Sequence, residues 1–197
     1  LLEGRYRVVI DAEKKKGEMH YADLLIKGES NKEVFFSTYI CHPSMANNEL
    51  SGPVLSTALI RYIKSKYKKT KYTYRFVFAP ETIGAIAYSY INKDKMKNID
   101  FGLNITTAGG RGKIGFKKSW DSKHFINRYI EDTFKELKID YLSYPFDIHG
   151  SDERQYSSQG FGINVASITK DKYYEYKEYH TSLDNLDFVN GRQLFET

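Results

Sequence analysis

The sequence of 197 residues contains one cysteine, Cys41, which excludes an intramolecular disulfide framework and a cysteine-based zinc cluster. It contains no apolar run near the roughly 18 to 20 residues that span a bilayer, and no segment that resembles a signal peptide opens it. We therefore expect no membrane partner, and a single cysteine agrees with a location in the reducing cytoplasm. The first residue is Leu1 rather than Met, which is compatible with a fragment or a processed product.

The sequence also has little excess of one charge sign, since 30 lysine and arginine residues are balanced by 25 acidic residues, for a formal net charge of +5. Much of the positive charge lies in "KSKYKKTK" at 64–71, where a predicted helix ends and cations complement the helix dipole. No nucleic-acid recognition motif accompanies this charge, so we expect no nucleic-acid partner. Length and composition, with 41% apolar and 28% charged residues, predict one domain over residues 1–197, either whole or a fragment of a longer chain.

Strand and helix patterns alternate along the chain. Runs rich in β-branched and aromatic residues predict strands at 5–12, 21–28, 33–40, 72–80, 101–109 and 162–169, with a short extra one in "KIGFKKS". Helical periodicity predicts helices at 51–67, from about Thr82, at 121–138 and from "NGRQLFET". The alternation favours an α/β fold, a three-layer sandwich with a mostly parallel central sheet.

Two predicted helices have apolar faces that we expect to pack on the sheet. In the helix at 51–67 this face consists of Val54, Leu55, Ala58, Leu59 and Tyr62. In the helix at 121–138 the apolar positions are His124, Phe125, Ile126, Tyr129, Ile130, Phe134 and Leu137.

Polar groups collect where the predicted strands end, in "CHPSMANNE", "PETIG", "TTAGGRG" and "KEYHTSLDN", with a fifth loop, "HGSDERQY", at 149–156. The carboxyl ends of parallel strands meet at one sheet edge, so we expect these loops to converge. The side chains they bring are His42, Glu49, Glu81, Asp152, Glu153 and His180. Imidazoles and carboxylates are the ligands that zinc takes when no cysteine cluster is offered.

Each of these residues also has a structural interpretation that the residues alone leave open. His42 can hydrogen-bond a loop backbone, and Glu81 can sit at a helix start, where exposed amides stabilise a carboxylate. Asn47, Asn48 or Ser51 can cap a helix, with Ser51 the favoured one. Asp152 can cap the short helical turn that it begins, and His180 can anchor a turn through Thr181 and Asp184.

The order of these motifs resembles zinc aminopeptidases of the M28 type and their glutaminyl-cyclase relatives. The segments "STYICHPSMANNELSGP", "YRFVFAPETIG", "GSDERQY" and "EYHTSLDN" resemble more closely a bacterial family with an aminopeptidase-like domain, often encoded with genes for surface-polysaccharide assembly. The resemblance covers about residues 20–190, and it implies the aminopeptidase fold.

The resemblance implies a set of site residues but not a complete dinuclear zinc site. His42 and His180 match the first and last histidine ligands, and Glu81 matches the general base. Asn48 stands where the family has a bridging aspartate, and Thr82 stands where it has a second glutamate. The loop "TAGGRG" offers no carboxylate for the remaining ligand, whereas Asp152 matches an acidic residue that assists the substrate in the cyclases.

These residues predict one zinc ion held by His42, His180 and a carboxylate, Glu49 or Glu81. We assign catalysis to Glu81 and Asp152, and substrate binding to Asn48, Glu153 and Arg154. The expected function is metal-dependent hydrolysis of an amide in a small peptide or an N-acylated sugar. The alternatives are a non-catalytic ligand-binding domain in surface-glycan assembly and a structural subunit, such as a homo-oligomer, that pairs through the Tyr-rich segment 173–180.

Overall fold

Seven strands form one sheet in the computed structural model, which describes residues 3–197. The strands are β1 (Ala22–Ile26), β2 (Glu33–Tyr39), β3 (Thr73–Ala79), β4 (Ile99–Ile105), β5 (Ile114–Lys117), β6 (Tyr141–Tyr144) and β7 (Asn164–Thr169). The helices are α1 (Ser51–Lys66), α2 (Ile83–Ile91), α3 (Lys93–Met96), α4 (Phe125–Glu136), α5 (Glu153–Tyr156) and α6 (Gly191–Phe195), with a π-helical turn at Ala46–Leu50. The strands lie in the order β1-β3-β2-β4-β7-β5-β6.

The centre of the sheet is parallel and its two outer parts join it antiparallel. Strand β2 pairs parallel with β3 and β4, and β4 pairs parallel with β7. The joins of β1 to β3 and of β5 to β7 are antiparallel, whereas β5 and β6 run parallel. All seven residues of β2 are buried, as expected for a strand covered on both faces. The predicted α/β fold with a mostly parallel sheet is confirmed.

Side chains alternate across β2 and so contribute to two different cores. Phe35 packs on one face of the sheet in the cluster that includes Tyr88 of α2 and Tyr156 of α5. Phe36 packs on the other face with Ile60 of α1. Because α4 joins this second face through contacts to β4 and β7, the helices form layers on both sides of the sheet.

Helix α1 has the predicted extent, and Leu55 and Leu59 of its predicted apolar face pack on the core, but the buried face is centred on other residues. The buried positions include Gly52, Ser56, Ile60 and Ile63, whereas Val54 and Tyr62 are about half exposed. A Cβ at Gly52 would lie 2.3 Å from Thr38 Oγ1 and 2.5 Å from the carbonyl oxygen of Ile105. Small residues therefore set how closely the helix approaches the strands, and apolar periodicity alone predicts only part of the buried face.

The predicted strand at 5–12 is wrong. Residues 5–21 carry neither helix nor strand, and Val8, Val9 and Ile10 are more than two thirds exposed. Strand β1 instead pairs with β3, with Ala22 opposite Phe78. An apolar β-branched run fits a half-buried sheet surface, but it becomes a strand only where a neighbour offers backbone partners.

The segment around α4 also differs from its prediction. His124 is the N-cap of the helix, since its ring accepts a hydrogen bond from the backbone N–H of Ile126 at 3.4 Å. Phe125, Tyr129 and Leu137 are largely exposed beside buried Ile126 and Ile130. Within the described residues, no helix has the length and apolar character needed to cross a membrane.

Candidate functional site

Two histidines from distant parts of the sequence meet at the carboxyl edge of the sheet. The rings of His42, which follows β2, and His180 have centroids 5.3 Å apart. His42 Nε2 lies 3.6 Å from Glu81 Oε2, and His42 Nδ1 lies 3.7 Å from Glu49 Oε2. The structure thus brings four of the predicted site residues into one cluster.

Glu81 follows β3 and is held in a strained turn. Thr82, the next residue, has φ 62° and ψ −74°, and the N–H of Ile83 donates to the carbonyl oxygen of Glu81 at 2.7 Å. These values define a γ-turn of the rare form, which costs free energy and is found mainly where function requires it. The turn leaves the Glu81 side chain about one quarter exposed beside His42.

The loop that precedes α5 approaches Glu81 through two consecutive residues. The hydroxyl of Ser151 donates to Glu81 Oε1 at 2.5 Å, and Asp152 Oδ1 accepts from the N–H of Thr82 at 2.7 Å. One oxygen of Glu81 is therefore fixed, while the other oxygen faces His42.

Asp152 is fully buried, and its second oxygen, Oδ2, is also buried without a hydrogen-bond partner. Burial raises the pKa of Asp152 to about 7, the Thr82 N–H acts against this rise, and the charges of Glu81 and Glu153 add to it. A carboxyl group with such a pKa can hold or release a proton near neutrality.

Glu153 and Arg154 occupy different environments. Glu153 is fully buried and its Oε1 lies 3.0 Å from Lys117 Nζ, so it lies inside the protein rather than on an open substrate surface. Arg154 is half-buried and lines a cavity of about 410 Å³ together with His149 and Tyr174. Of the two residues predicted to bind substrate in this loop, Arg154 alone borders open space.

The π-helical turn at Ala46–Leu50 is held by a residue that the motif analysis did not assign to the site. Asp184 is fully buried and accepts hydrogen bonds from the N–H groups of Ala46, Asn47 and Asn48 at 3.2, 2.6 and 2.9 Å. The aspartate in "YHTSLDN" is the sequence feature that could have indicated this contact, but its pattern favoured a local turn. Its actual contacts join the His180 loop to the His42 loop.

Ser51 does not cap the helix as predicted. Its hydroxyl donates to the carbonyl oxygen of Asn47 at 2.5 Å and accepts from the N–H of Ala108 at 2.9 Å. Asn48 is buried, and its Oδ1 accepts a hydrogen bond from the hydroxyl of Tyr39. The side chain predicted to contact substrate is thus engaged within the protein.

A carboxylate from another loop lies against "TAGGRG". Asp171 Oδ1 accepts from the N–H of Gly112 at 3.0 Å, and Oδ2 lies 3.4 Å from Asn47 Nδ2. A Cβ at Gly110 would lie 1.5 Å from Asp171 Oδ2, so glycine is required there. This aspartate follows β7, and the sequence pattern of the "TAGGRG" loop gave no sign of it.

The donor set fits one metal ion better than two. Within residues 3–197, the only group of three His, Cys, Asp or Glu side chains with ligand atoms all within 4.8 Å consists of Cys41, His42 and Glu49. Burial raises the pKa of the Cys41 thiol, which favours the poorly ligating protonated form. His180 lies outside this group. The predicted ligands His42, Glu49 and His180 therefore do not form one group of ligand atoms within 4.8 Å of one another.

His180 nevertheless has the protonation that a metal ligand needs. Burial lowers the pKa of His180, and the neighbouring His42 lowers it further, while Glu81 and Asp184 act in the opposite direction. The neutral imidazole that results is the form that binds zinc. Two imidazoles beside Glu49 and Glu81 are therefore ligands of the chemical type that zinc takes, but their ligand atoms are not gathered as closely as those of Cys41, His42 and Glu49.

The Tyr-rich segment 173–180 packs against the site instead of forming one exposed surface. The ring of Tyr179 stacks on His180 with centroids 3.9 Å apart. Tyr173 is buried, whereas Tyr174 is 70% exposed. The prediction that this segment pairs with another chain stays untested.

The fold is that of the zinc aminopeptidases and their relatives. A zinc aminopeptidase from Bacillus subtilis superposes with a TM-score of 0.74 and 15% identity, over 89% of this chain and 46% of its own. A glutaminyl cyclase from Porphyromonas gingivalis gives a TM-score of 0.72 and 14% identity, over 89% and 73% of the two chains. At such identities the likeness shows the fold alone.

The chain belongs to the family described as "Domain of unknown function (DUF4910)", whose model matches residues 9–197. A Clostridium acetobutylicum protein named "Putative polysaccharide biosynthesis protein with aminopeptidase-like domain" is 40% identical over 197 residues, which are 100% of this chain and 45% of that protein. The chain thus spans about half the length of this relative. The crystal structure of a "putative peptidase" from the same organism gives a TM-score of 0.85 and 40% identity, over 89% of this chain and 41% of its own.

Proposed function

We propose that the protein hydrolyses an amide bond in a small peptide or an N-acylated sugar, with Glu81 as the general base. The observation that carries this proposal is the approach of Glu81 to the two histidines, with His42 Nε2 at 3.6 Å from Glu81 Oε2 and the His180 ring beside it. A base, two metal-ligating imidazoles and a second carboxyl group are the parts that metal-assisted hydrolysis uses.

Each residue has a role that its contacts support. Ser151 fixes one oxygen of Glu81, so the other oxygen is oriented to take a proton from an attacking water. Asp152, which holds its proton up to a pH of about 7, is suited to donate it to a departing amine. His42, His180 and Glu49 would hold one zinc ion, which would supply polarisation of the carbonyl and acidification of water when bound.

The substrate proposal rests on a cavity that the loop before α5 borders, although His42, Glu81 and His180 do not line it. The cavity of about 410 Å³ is lined by Arg154, Lys172 and Tyr174, and it follows the same loop that carries Ser151 and Asp152. Cationic and aromatic side chains at its wall suit the polar remainder of a peptide or sugar-derived substrate. We propose Arg154 as the residue that binds this part of the substrate.

A non-catalytic binding domain is the second candidate, and Asn48 favours it. This amide stands at the position where the resemblance implies a bridging aspartate, and it is buried and hydrogen-bonded to Tyr39. A neutral amide does not offset the charge of a second cation, and uncompensated charge is costly outside water. The name of the Clostridium relative supports polysaccharide assembly as the setting for such a domain.

The test compares the unmodified protein with Glu81→Gln and His180→Ala on a panel of aminoacyl amides and N-acetylated sugars. We expect Glu81→Gln to lower the rate by roughly 10²- to 10⁴-fold while ligand affinity and bound zinc remain. His180→Ala should lose the metal as well, measured by metal analysis after purification without chelator.

Matched controls are the exposed residues Glu136 and His20, changed to Gln and Ala, which should leave rate and metal content unchanged. Ligand binding without hydrolysis by the unmodified protein, unaffected by Glu81→Gln, would exclude the enzyme and favour the binding domain. Two zinc ions per chain would contradict the single-metal site.

A further inference from the structure

Lys117, in β5, is a buried cation in an unusual setting. It is 5% exposed, although lysine is almost never fully buried without partners. Its Nζ lies 2.6 Å from the carbonyl oxygen of His149, 3.1 Å from that of Asp147 and 3.0 Å from Glu153 Oε1. One ammonium group therefore holds the loop before α5 at three points.

Glu153 continues the same network toward the site. Both of its carboxylate oxygens accept from the N–H of Ser151, at 3.1 and 3.0 Å, and Oε2 also lies 3.3 Å from Asn104 Nδ2. A Cβ at Gly150 would lie 1.9 Å from Glu153 Oε1 and 2.4 Å from Lys117 Nζ. The absence of a side chain at Gly150 thus allows the loop to close over the ion pair.

The residues fixed in this way are the ones that contact the base. Ser151, whose N–H is bound by Glu153, donates its hydroxyl to Glu81. The following residue, Asp152, accepts from the strained Thr82 beside Glu81. The path from the ion pair to the base therefore runs through one short loop with a hydrogen bond at each step.

Stability alone does not account for such a pair. Removing two charges from water is costly, and replacement of a buried ion pair by apolar residues of similar volume is often neutral or stabilising. A directional bond network has value when it fixes a geometry, because a displacement of about 1 Å at a reacting group can cost about 10² in rate.

We propose that Lys117 and Glu153 are positioning residues that orient Ser151 and Asp152 on Glu81. This inference rests on the proposed function of Glu81. Neither side chain contacts the reacting atoms, and both act through the loop 147–152.

The test is the double variant Lys117→Met/Glu153→Met. It should fold, and kcat should fall by about 10²-fold because the contact of Ser151 with Glu81 is lost. His149 and Gly150 of the same loop line the cavity proposed for the substrate, so the dependence of the loss on Ser151, and not KM, identifies the positioning role. Ser151→Ala in this background should lower kcat little further, because both changes act through the same contact. The matched control is a second buried ion pair, Arg75 with Glu33, near the starts of β3 and β2. Both residues are replaced by Met in the same way, together with Asp23→Asn, because Asp23 also binds the Arg75 guanidinium at 2.8 Å.

The control pair should change stability without changing kcat. A folded Lys117→Met/Glu153→Met variant with unchanged kcat, or with a loss that is fully additive with Ser151→Ala, overturns the inference. Should this variant fail to fold, Glu153→Gln decides by the same criterion, the loss of kcat and its additivity with Ser151→Ala.

Hydrogen exchange separates this inference from the proposed function. If the unmodified protein is inactive on the panel, the proposed function fails, and exchange of the Ser151 amide then decides whether the pair holds the loop. Faster exchange in the folded double variant supports the positioning of the loop, and unchanged exchange overturns it.

Discussion

Asp184 and Asp152 are both fully buried at the carboxyl edge of the sheet, yet their surroundings differ. Asp184 receives three backbone N–H groups, which engage both of its oxygens. Asp152 receives one, and its Oδ2 has no partner. Burial alone therefore does not mark a carboxyl group that can carry a proton. The number of hydrogen-bond donors decides whether a buried carboxyl group holds the chain or keeps an oxygen available for a proton.

This contrast divides the candidate site into two halves. In the half around Asn47, Asn48 and Asp184, polar atoms are engaged with one another or with the backbone. In the half around Glu81 and Asp152, oxygens remain that face a histidine or lack a partner. We therefore place the chemistry in the Glu81 half and regard the other half as its support.

The largest expected effect is the loss of the Asp184 clamp. Asp184→Ala leaves the buried N–H groups of Asn47 and Asn48 without an acceptor, whereas the N–H of Ala46 keeps the backbone carbonyl oxygen of residue 184 at 3.1 Å. Each lost acceptor costs roughly 1–3 kcal/mol, so we expect the free energy of unfolding to fall by about 2 to 5 kcal/mol. Denaturant unfolding measures this change. Asp187→Ala, an exposed neighbour, should stay within about 0.5 kcal/mol. Equal changes in the free energy of unfolding for the two variants would contradict the structural role that we assign to Asp184.

Burial of Asp152, unlike that of Asp184, should lower the free energy of unfolding, and this loss should depend on pH. Its pKa of about 7 lies above the ordinary value of 3.8, so between these values the unfolded chain is ionised while the folded protein keeps its proton. The free energy of unfolding should therefore fall as pH rises from about 4 to 7, by up to about 4 kcal/mol.

Asp152→Asn removes this titration, and so the variant should gain stability relative to the unmodified protein as pH rises through the same range. Urea unfolding at several pH values measures the difference. Asp187→Asn serves as the control, for which the difference should stay flat. A flat difference for Asp152→Asn as well would show that Asp152 is ionised throughout, like an ordinary surface carboxylate.

The smallest effect concerns Ser51, on the supporting half. Ser51→Ala removes a donor to Asn47 and an acceptor for Ala108, so we expect a loss of about 1 to 2 kcal/mol. Ser65→Ala, in the same helix, removes an exposed bond to Tyr62 and should cost less than about 0.5 kcal/mol. Thermal unfolding of both variants gives the comparison, and equal shifts would contradict it.

Local pattern was sufficient to predict the sheet class and the positions of His42 and Glu81 after buried strands. Apolar runs mark such strands, and the carboxyl ends of parallel strands share an edge. The whole buried face of α1 was not predictable in this way, because Gly52 lies on it and allows close approach to the strands by having no side chain. The apolar run at 5–12 gave a wrong strand prediction, because strand pairing requires a neighbouring strand with free backbone groups and not the apolar run alone.

The supporting contacts of the site were beyond the reach of sequence pattern for a different reason. The contacts of Lys117 with Glu153, and of Asp184 with the turn at Ala46–Leu50, join residues that are distant in the chain. Local residue spacing does not predict which partner a buried charge contacts. Asp171 was missed in the same way, because it reaches the "TAGGRG" loop from another strand end. The sequence pattern thus found side chains that meet at the sheet edge, but not Lys117, Asp171 and Asp184, which hold their loops.

The Asp184 clamp also has a consequence for the order of folding. Its bonds to Asn47 and Asn48 close sequence separations of 137 and 136 residues, so the support of the His42 loop is complete only after most of the chain has been synthesised. Contacts of such long range slow folding because the intervening chain must be ordered first. During synthesis, the segment at 46–48 therefore leaves the ribosome long before its acceptor exists, and the site matures among the last parts of the domain.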